Sequence, residues 1–258
     1  TGFIKTELNR VGFSKAVIGL SGGIDSALSL ALTTEAIGKE NVLAVRMPYK
    51  AASQDSLDHA QLAIDKFGVQ FMTLPITEMA DPLIACDPEM SKTRKGNIMA
   101  RCRMIVLYDQ SEAFRGLVIG TSNKTEILLG YSTIFGDSAS ALNPIGDLYK
   151  TQVRQLSRAL GVPNEIIDKP PSADLWANQT DEKELGFTYA EADELFYLLI
   201  DQRYSVQECV EAGFDEAFVN AVVKRVRQNQ FKRMLPPIAK VSNRTIGYDF
   251  LYLRDWGT

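Results

Sequence analysis

The sequence predicts an α/β protein, in which a doubly wound parallel sheet is followed by a helical C-terminal part. Short β-branched runs alternate with longer segments whose apolar residues recur every three or four positions, as in helices with one buried face. The chain has 258 residues, of which 45% are hydrophobic, so it is long enough to bury one large core. We therefore expect a single domain over 1–258, with an α/β core over 1–161 and loops and helices over 162–258.

The first half of the chain carries the strand signals. In such alternating folds the strands run parallel with helices on both faces, and ligands bind beyond the carboxyl ends of the strands, near a switch in strand order. We therefore expect the site to follow Leu20 and Gly120. The predicted strands are Ala16–Leu20, Val42–Met47, Gln70–Leu74 and Leu117–Gly120, and the predicted helices are Gly2–Phe13, Ser26–Ile37, Ser56–Phe67 and Asn97–Phe114.

The second half has the periodicity of helices and two long irregular segments. Apolar spacing predicts helices over Tyr149–Leu160, Thr188–Leu199 and Ala217–Gln230. Between them, Gly136–Asp147 and Asp168–Gly186 are rich in Gly, Pro, Ser, Asp and Asn. Loops of this length inside a compact domain are usually functional, so we interpret both as site loops.

Charge and cysteine content exclude several classes of protein. With 32 acidic and 28 basic residues the net charge is -4, which gives no overall reason to expect nucleic acid or an anionic membrane as a partner. Cys86, Cys102 and Cys209 form no CxxC pair, so neither a disulfide framework nor a zinc site is indicated. No apolar run approaches the roughly 18 residues that span a bilayer. We expect a cytoplasmic protein.

The most informative segment is Ser21–Ser26, with the sequence SGGIDS, which we call the phosphate loop. It follows the first predicted strand and opens a helix, where paired glycines and the helix N-terminus favour a bound anion. It lacks the lysine of the P-loop ATPases and is not a GxGxxG loop. Asp25 beside a phosphate would require a cation, which predicts a magnesium ion. The alternative is an ordinary turn in which Asp25 caps the helix.

The phosphate loop resembles that of the ATP pyrophosphatases, which cleave ATP between its α and β phosphates. Further segments resemble the NAD synthetase family specifically. This resemblance implies a Rossmann-like fold of the adenine nucleotide alpha hydrolase type. The segments that carry it are Gly120–Glu126, Gly130-Tyr131, Phe135–Asp137, Asn143-Pro144, Asp147–Lys150 and Pro170–Leu175.

The resemblance implies that ATP adenylates the carboxylate of deamido-NAD (nicotinic acid adenine dinucleotide) and releases pyrophosphate. Ammonia then displaces AMP and gives NAD. The family pattern assigns Asp25 and Glu126 as magnesium ligands, and Asp25 and Lys150 as the catalytic residues. It assigns as ATP contacts Gly19, Leu20, Ser21, Gly22, Gly23, Ile24, Asp25, Ser26, Arg46, Thr121, Lys150 and Ser172.

For deamido-NAD, the family pattern assigns Arg101 and Lys232. Both lie in basic stretches: 92–103 has five basic and no acidic residues, and 217–248 has seven and none. We expect these cations to bind the dinucleotide rather than nucleic acid. The chain departs from the ammonia-using members, which have a lysine, an aspartate and a histidine at the positions of Ile134, Ala141 and Phe231.

Two questions stay open at this point. The nitrogen donor is either free ammonia or glutamine hydrolysed by an upstream domain or a partner, since these residues show no Cys–His set for a glutaminase. The other functions to consider are a different ATP pyrophosphatase and a non-enzymatic adenine-nucleotide sensor.

The family resemblance also implies a homodimer, for which Arg101–Phe114 is the candidate interface helix. We expect Asp137 and Asp174 to orient substrates within the two loops.

Overall fold

The computed structural model describes residues 1–50, 53–172 and 180–250. Asp174, together with the rest of Ala173–Leu175, lies outside the described residues. Within those ranges, no helix has both the length and the apolar composition needed to cross a bilayer. The strands are β1 (Ala16–Gly19), β2 (Val42–Arg46), β3 (Gln70–Thr73) and β4 (Leu117–Ile119). The helices are α1 (Gly2–Arg10), α2 (Ile24–Ile37), α3 (Gln54–Phe67), α4 (Thr77–Ala85), α5 (Lys92–Phe114), α6 (Lys124–Leu129), α7 (Lys150–Ala159), α8 (Asn164–Ile167), α9 (Asp181–Leu185), α10 (Tyr189–Phe196), α11 (Val206–Glu211) and α12 (Glu216–Gln228).

The four strands form one parallel sheet in the order β3-β2-β1-β4, which confirms the predicted fold class. In the central strand, Ala16 pairs with Val42 of β2 on one side and with Leu117 of β4 on the other. The chain moves outward from β1 to β3 and then returns across the sheet to β4. This reversal places a switch point between β1 and β4, where ligands of such sheets bind.

Each strand ends one residue before the predicted boundary. Leu20 and Leu74 still donate backbone hydrogen bonds of 2.9 Å to the Val45 and Arg46 carbonyls, but they lie one residue beyond the ends of β1 and β3. The chain therefore leaves the sheet at the positions where the phosphate loop and the other site segments begin.

Helices cover both faces of the sheet, as the doubly wound pattern requires. On one face, Ala16 and Ile18 pack against α1, α2, α3, α7 and α8. On the other face, Val17 and Val45 pack against α4 and α5. Successive side chains of β1 point to opposite faces of the sheet, and helices bury both faces. This strand is therefore apolar throughout.

A second apolar cluster holds the C-terminal helices together. We call it the helical cluster; it comprises parts of α6, α10, α11 and α12, with Leu129, Phe196, Cys209 and Val222 fully buried in it. By contrast, α8 packs its Ile166 and Ile167 into the core of the sheet. The division of the domain at residue 161 stays a prediction.

Local signals explain the differences between predicted and observed helices. Helix α5 begins at Lys92 rather than Asn97, because the Ser91 side chain caps a charged first turn that lacks apolar periodicity. Helix α4 was not predicted because Pro82 lies inside it. Helix α10 ends at Phe196, and a π-helical segment, Tyr197–Asp201, follows it directly.

Candidate active site

A cavity of about 560 Å³ lies at the carboxyl ends of β1, β2 and β4. Leu20 and Gly120 both line it, so the cavity is where the strand pattern predicts the site. Its walls come from the phosphate loop, α5, the start of α7 and the segments that follow β2 and β4. Both irregular segments also reach it, through Asp137 and Ser172.

The phosphate loop turns sharply before α2 begins. Gly22 has a φ of +82°, and a Cβ atom there would lie 2.1 Å from the Ser56 carbonyl oxygen, so only glycine fits. Ser21 accepts a hydrogen bond from the Gly23 amide and its hydroxyl lies 3.2 Å from that of Ser26. The loop thereby directs the N-terminus of a 14-residue helix toward the cavity, where its partial positive charge favours an anion.

The centre of the site is the ammonium group of Lys150, which lies between two carboxylates. Its Nζ is 2.5 Å from Asp25 Oδ2 and 3.1 Å from Glu126 Oε1, and Lys150 is only 2% exposed. Asn123 joins the same two carboxylates: its side-chain Nδ2 donates to Asp25 Oδ1 at 2.9 Å, and its backbone N–H donates to Glu126 Oε2 at 3.3 Å. We call these four residues the Lys150 site.

Carboxyl groups outnumber cations immediately around the Lys150 ammonium. Burial raises the pKa of Glu126 to about 7, even though the Lys150 ammonium acts in the opposite direction. Burial alone would lower the pKa of Lys150, but the carboxylates of Asp25 and Glu126 outweigh it and hold that pKa above its ordinary value. Burial also raises the pKa of Asp181, a further carboxyl on the cavity wall. One ammonium therefore faces three acidic groups.

The two predicted magnesium ligands, Asp25 and Glu126, lie close together. The described residues contain no group of three or more His, Cys, Asp or Glu side chains that could hold a metal alone. Magnesium nevertheless prefers one or two carboxylates and takes its remaining oxygens from water and phosphate. The pair of hard oxygen donors around Lys150 fits such an ion.

Three other predicted ATP contacts line the cavity at separate places. Arg46 lies over the Phe71 ring, 4.8 Å from its centroid, and donates from Nη1 to Gln61 Oε1 at 2.8 Å. Thr121 follows β4, and Ser172 lies in the second irregular segment. Gly19, Leu20 and all of the phosphate loop except Gly22 also reach the cavity wall.

The two predicted deamido-NAD contacts differ in position. Lys232 lines the cavity, and its Nζ donates to the Gly130 and Ser132 carbonyls, each at 2.7 Å. Burial lowers the pKa of Lys232. Arg101 is not among the lining residues of the described chain, and its Nη2 donates to the Ile134 carbonyl at 3.3 Å. The role of both residues toward deamido-NAD stays a prediction.

Part of the basic C-terminal stretch also serves a structural purpose. Arg225 Nε donates to the Leu129 carbonyl at 3.3 Å, and Arg233 Nη1 donates to the Leu128 carbonyl at 2.8 Å. These carbonyls form the C-terminal end of α6, which carries Glu126. Cations at a helix C-terminus satisfy free carbonyls and oppose the negative end of the dipole. The basic stretch therefore holds α6 in place, in addition to any role in binding.

Sequence reasoning missed several residues of the site. Asn123 could have been found, because it starts an Asn-x-x-Glu capping box with Glu126. Lys169, next to the predicted Pro170–Leu175 segment, lines the cavity and donates to Ser56 Oγ at 2.7 Å. Arg103 also lines it. No local pattern distinguishes these two cations from solvated ones.

Comparison with known proteins gives a consistent result. The family model for NAD synthase matches residues 1–236. The chain is 57% identical over 256 residues to an NH3-dependent NAD+ synthetase of Trichlorobacter lovleyi, an alignment that covers 99% of this chain and 94% of the relative. The solved NH3-dependent NAD synthetase of Campylobacter jejuni is 33% identical, with a TM-score of 0.78 and coverage of 93% and 95%. An NMN synthetase structure from Francisella tularensis is 31% identical, with a TM-score of 0.81 and coverage of 93% and 94%.

Proposed function

Since the chain belongs to the NAD synthase family, we propose that it is a ligase that uses ATP and ammonia to convert deamido-NAD to NAD. AMP and pyrophosphate are the other products. The observation that carries this proposal is the Lys150 site, which places a buried ammonium and two carboxylates at the end of a phosphate-binding loop.

The Lys150 site suits the first half of this reaction, which forms the adenylated intermediate. Transfer of the α phosphate to a carboxylate oxygen builds negative charge on the departing pyrophosphate. The amides at the start of α2 bind phosphate oxygens, and the Lys150 ammonium balances the developing charge. Asp25 and Glu126 hold that ammonium in position. No protein nucleophile is needed, because the carboxylate of the substrate attacks phosphorus directly.

We further propose that Asp25 and Glu126 hold magnesium. When bound there, magnesium would neutralise phosphate oxygens and stabilise the charge of the leaving group.

The second half of the reaction needs a cavity closed to water, because water would hydrolyse the adenylate before ammonia attacks it. The two irregular segments that reach the cavity are the candidates for this closure, and Asp137 would orient the substrate within the first of them.

The direct test is NAD formation by the purified chain with ATP, magnesium and deamido-NAD, with ammonium or glutamine supplied in parallel. We expect turnover with ammonium. Turnover with glutamine alone would show a glutaminase activity in the preparation. Binding of ATP by a folded chain without NAD formation from either donor would contradict the proposal and support a nucleotide sensor.

A second candidate function is the formation of NMN, because the NMN synthetase structure covers nearly the whole chain with a TM-score of 0.81. The same adenylation chemistry applies to the shorter acid mononucleotide, which lacks the second nucleotide. Comparing kcat/KM for the two acid substrates in one preparation distinguishes the functions. A higher value for the mononucleotide would favour NMN formation.

Replacing Asp25 with asparagine should lower kcat by at least about 100-fold, because the site loses the carboxylate that binds Lys150 and the proposed magnesium. Initial rates at saturating ATP and magnesium measure this effect. Asp147→Asn is a matched control, since Asp147 is exposed, pairs with Lys124 and lies outside the cavity lining. Wild-type kcat in D25N would contradict the assigned role.

We also propose a homodimer that forms through α5. Ile105 and Tyr108, three positions apart on this helix, are 54% and 43% exposed, which is unusual for large apolar side chains on one helix face. Ile105→Glu should therefore shift the molecular mass measured by light scattering from dimer to monomer. Leu62→Glu is the control, because Leu62 is an exposed apolar residue of α3 on the opposite side of the sheet. A monomeric wild-type protein would refute this proposal.

A further inference from the structure

The helical cluster contains a buried carboxylate that the reaction itself does not use. Asp193, in the middle of α10, is 5% exposed and has no ion-pair partner among the described residues. Burying a carboxylate without a cation is costly unless hydrogen bonds satisfy its oxygens. The hydrogen-bond donors around Asp193 therefore determine whether its carboxylate is tolerated in the interior.

Both oxygens of Asp193 accept hydrogen bonds from residues next to the Lys150 site. Oδ1 accepts from the hydroxyl of Thr125, and Oδ2 accepts from the backbone N–H of Thr151 at 2.8 Å. Thr125 precedes Glu126, and Thr151 follows Lys150. The Lys150 backbone N–H in turn donates to Thr125 Oγ1 at 3.1 Å.

These bonds tie two helix starts together. Thr125 lies in the first turn of α6 and Thr151 in the first turn of α7, and Asp193 bridges the two. Its negative charge also lies at the positive N-terminal end of α7, which stabilises it there. The helix starts that carry Glu126 and Lys150 are thus both hydrogen-bonded to a third helix.

The same helix supports Lys150 at a second point. Tyr189 lies one turn before Asp193, and the Lys150 Nζ is 5.0 Å from the centroid of its ring. The Tyr189 hydroxyl donates to Asp181 Oδ2 at 3.0 Å. Helix α10 therefore contacts the backbone next to Lys150, through the Thr151 N–H, and the Lys150 ammonium itself.

We propose that Asp193 is a positioning residue, which acts through Thr125 and the Thr151 amide to hold Lys150 and Glu126 at their working separation. The proposal rests on the proposed function. Asp193 is not among the described residues that line the cavity, so its loss should affect the chemical step more than ATP binding.

The test compares kcat and KM in variants of this network. Thr125→Val preserves the shape of the side chain and removes its hydroxyl. Asp193→Asn leaves a single acceptor oxygen for two donors, the Thr125 hydroxyl and the Thr151 N–H. Each should lower kcat about 10- to 100-fold, because a displacement on the order of 1 Å costs that much, with less than about a threefold change in KM for ATP. The double variant should lose less than the product of the two effects, and Thr125→Ser should restore most of the kcat lost in T125V.

Ser157→Ala is the matched control, because Ser157 is a fully buried residue of α7 whose hydroxyl has no partner among the described residues. It should keep wild-type kcat. Unchanged kcat in T125V, or multiplicative losses in the double variant, would overturn the proposal. If D193N does not fold, the comparison of T125V with T125S still decides. An inactive wild-type chain would instead refute the proposed function.

Discussion

Replacing Lys150 with methionine is expected to lower kcat by about 100- to 1,000-fold, because the site loses the cation that we propose balances the departing pyrophosphate. Methionine fills a similar volume but leaves Asp25 and Glu126 facing each other without the ammonium that bridges them. Removing one partner of a buried ion pair costs about 3–5 kcal/mol, so the free energy of unfolding should fall as well. Initial rates of NAD formation and denaturant unfolding measure the two effects separately.

Lys124→Met is the control that separates stability from catalysis. Lys124 is also a paired lysine, 2.8 Å from Asp201 and 4.5 Å from the centroid of the Tyr149 ring, but it does not line the cavity. The K124M variant should lose stability and keep most of its kcat. If K150M retains kcat within about threefold of wild type, Lys150 serves only to stabilise the fold.

The position of the site could be predicted from the sequence because it depends on short-range patterns. The alternation of strands and helices determines a parallel sheet, and SGGIDS directly after β1 determines where its phosphate loop lies. The observed cavity at Leu20 and Gly120 follows from those two features. Asn123 was equally accessible, since its capping box is a local motif with a known spacing.

The role of the basic residues could not be predicted in the same way. Arg225 and Arg233 bind carbonyls that lie 96 and 105 residues earlier in the chain. Nothing in the composition of 217–248 distinguishes a cation that caps α6 from one that binds a dinucleotide. Only the tertiary structure shows that Arg225, in α12, and Arg233, beyond its end, reach these carbonyls.

The network around Asp193 was missed for a related reason. Asp193 lies four residues after Tyr189 and three before Phe196, on the apolar face of the helix, so the pattern is compatible with burial but does not show which groups the carboxylate contacts. Its partners, Thr125 and Thr151, lie 68 and 42 residues away. The charged residues of the Lys150 site thus lie on α2, α6 and α7, and α10 contacts the last two of these helices through Asp193.

Gly22→Ala is expected to raise KM for ATP at least about 10-fold and to destabilise the fold. Two effects act together. An alanine at a φ of +82° costs about 1–2 kcal/mol, and its Cβ would lie 2.1 Å from the Ser56 carbonyl oxygen. Either the phosphate loop or the start of α3 must move, and both line the part of the cavity where we propose that ATP binds. ATP titration and thermal unfolding of the variant measure the two effects.

Gly12→Ala separates the backbone strain of alanine at a positive φ from the steric clash with the Ser56 carbonyl. Gly12 has a φ of +79°, but a Cβ atom there would meet nothing within 4 Å. The G12A variant should therefore lose about 1–2 kcal/mol of stability and bind ATP as tightly as the wild type. The excess effect of G22A then reports the contact between the phosphate loop and α3. Equal losses in both variants, with unchanged KM for ATP, would mean that this contact does not shape the phosphate site.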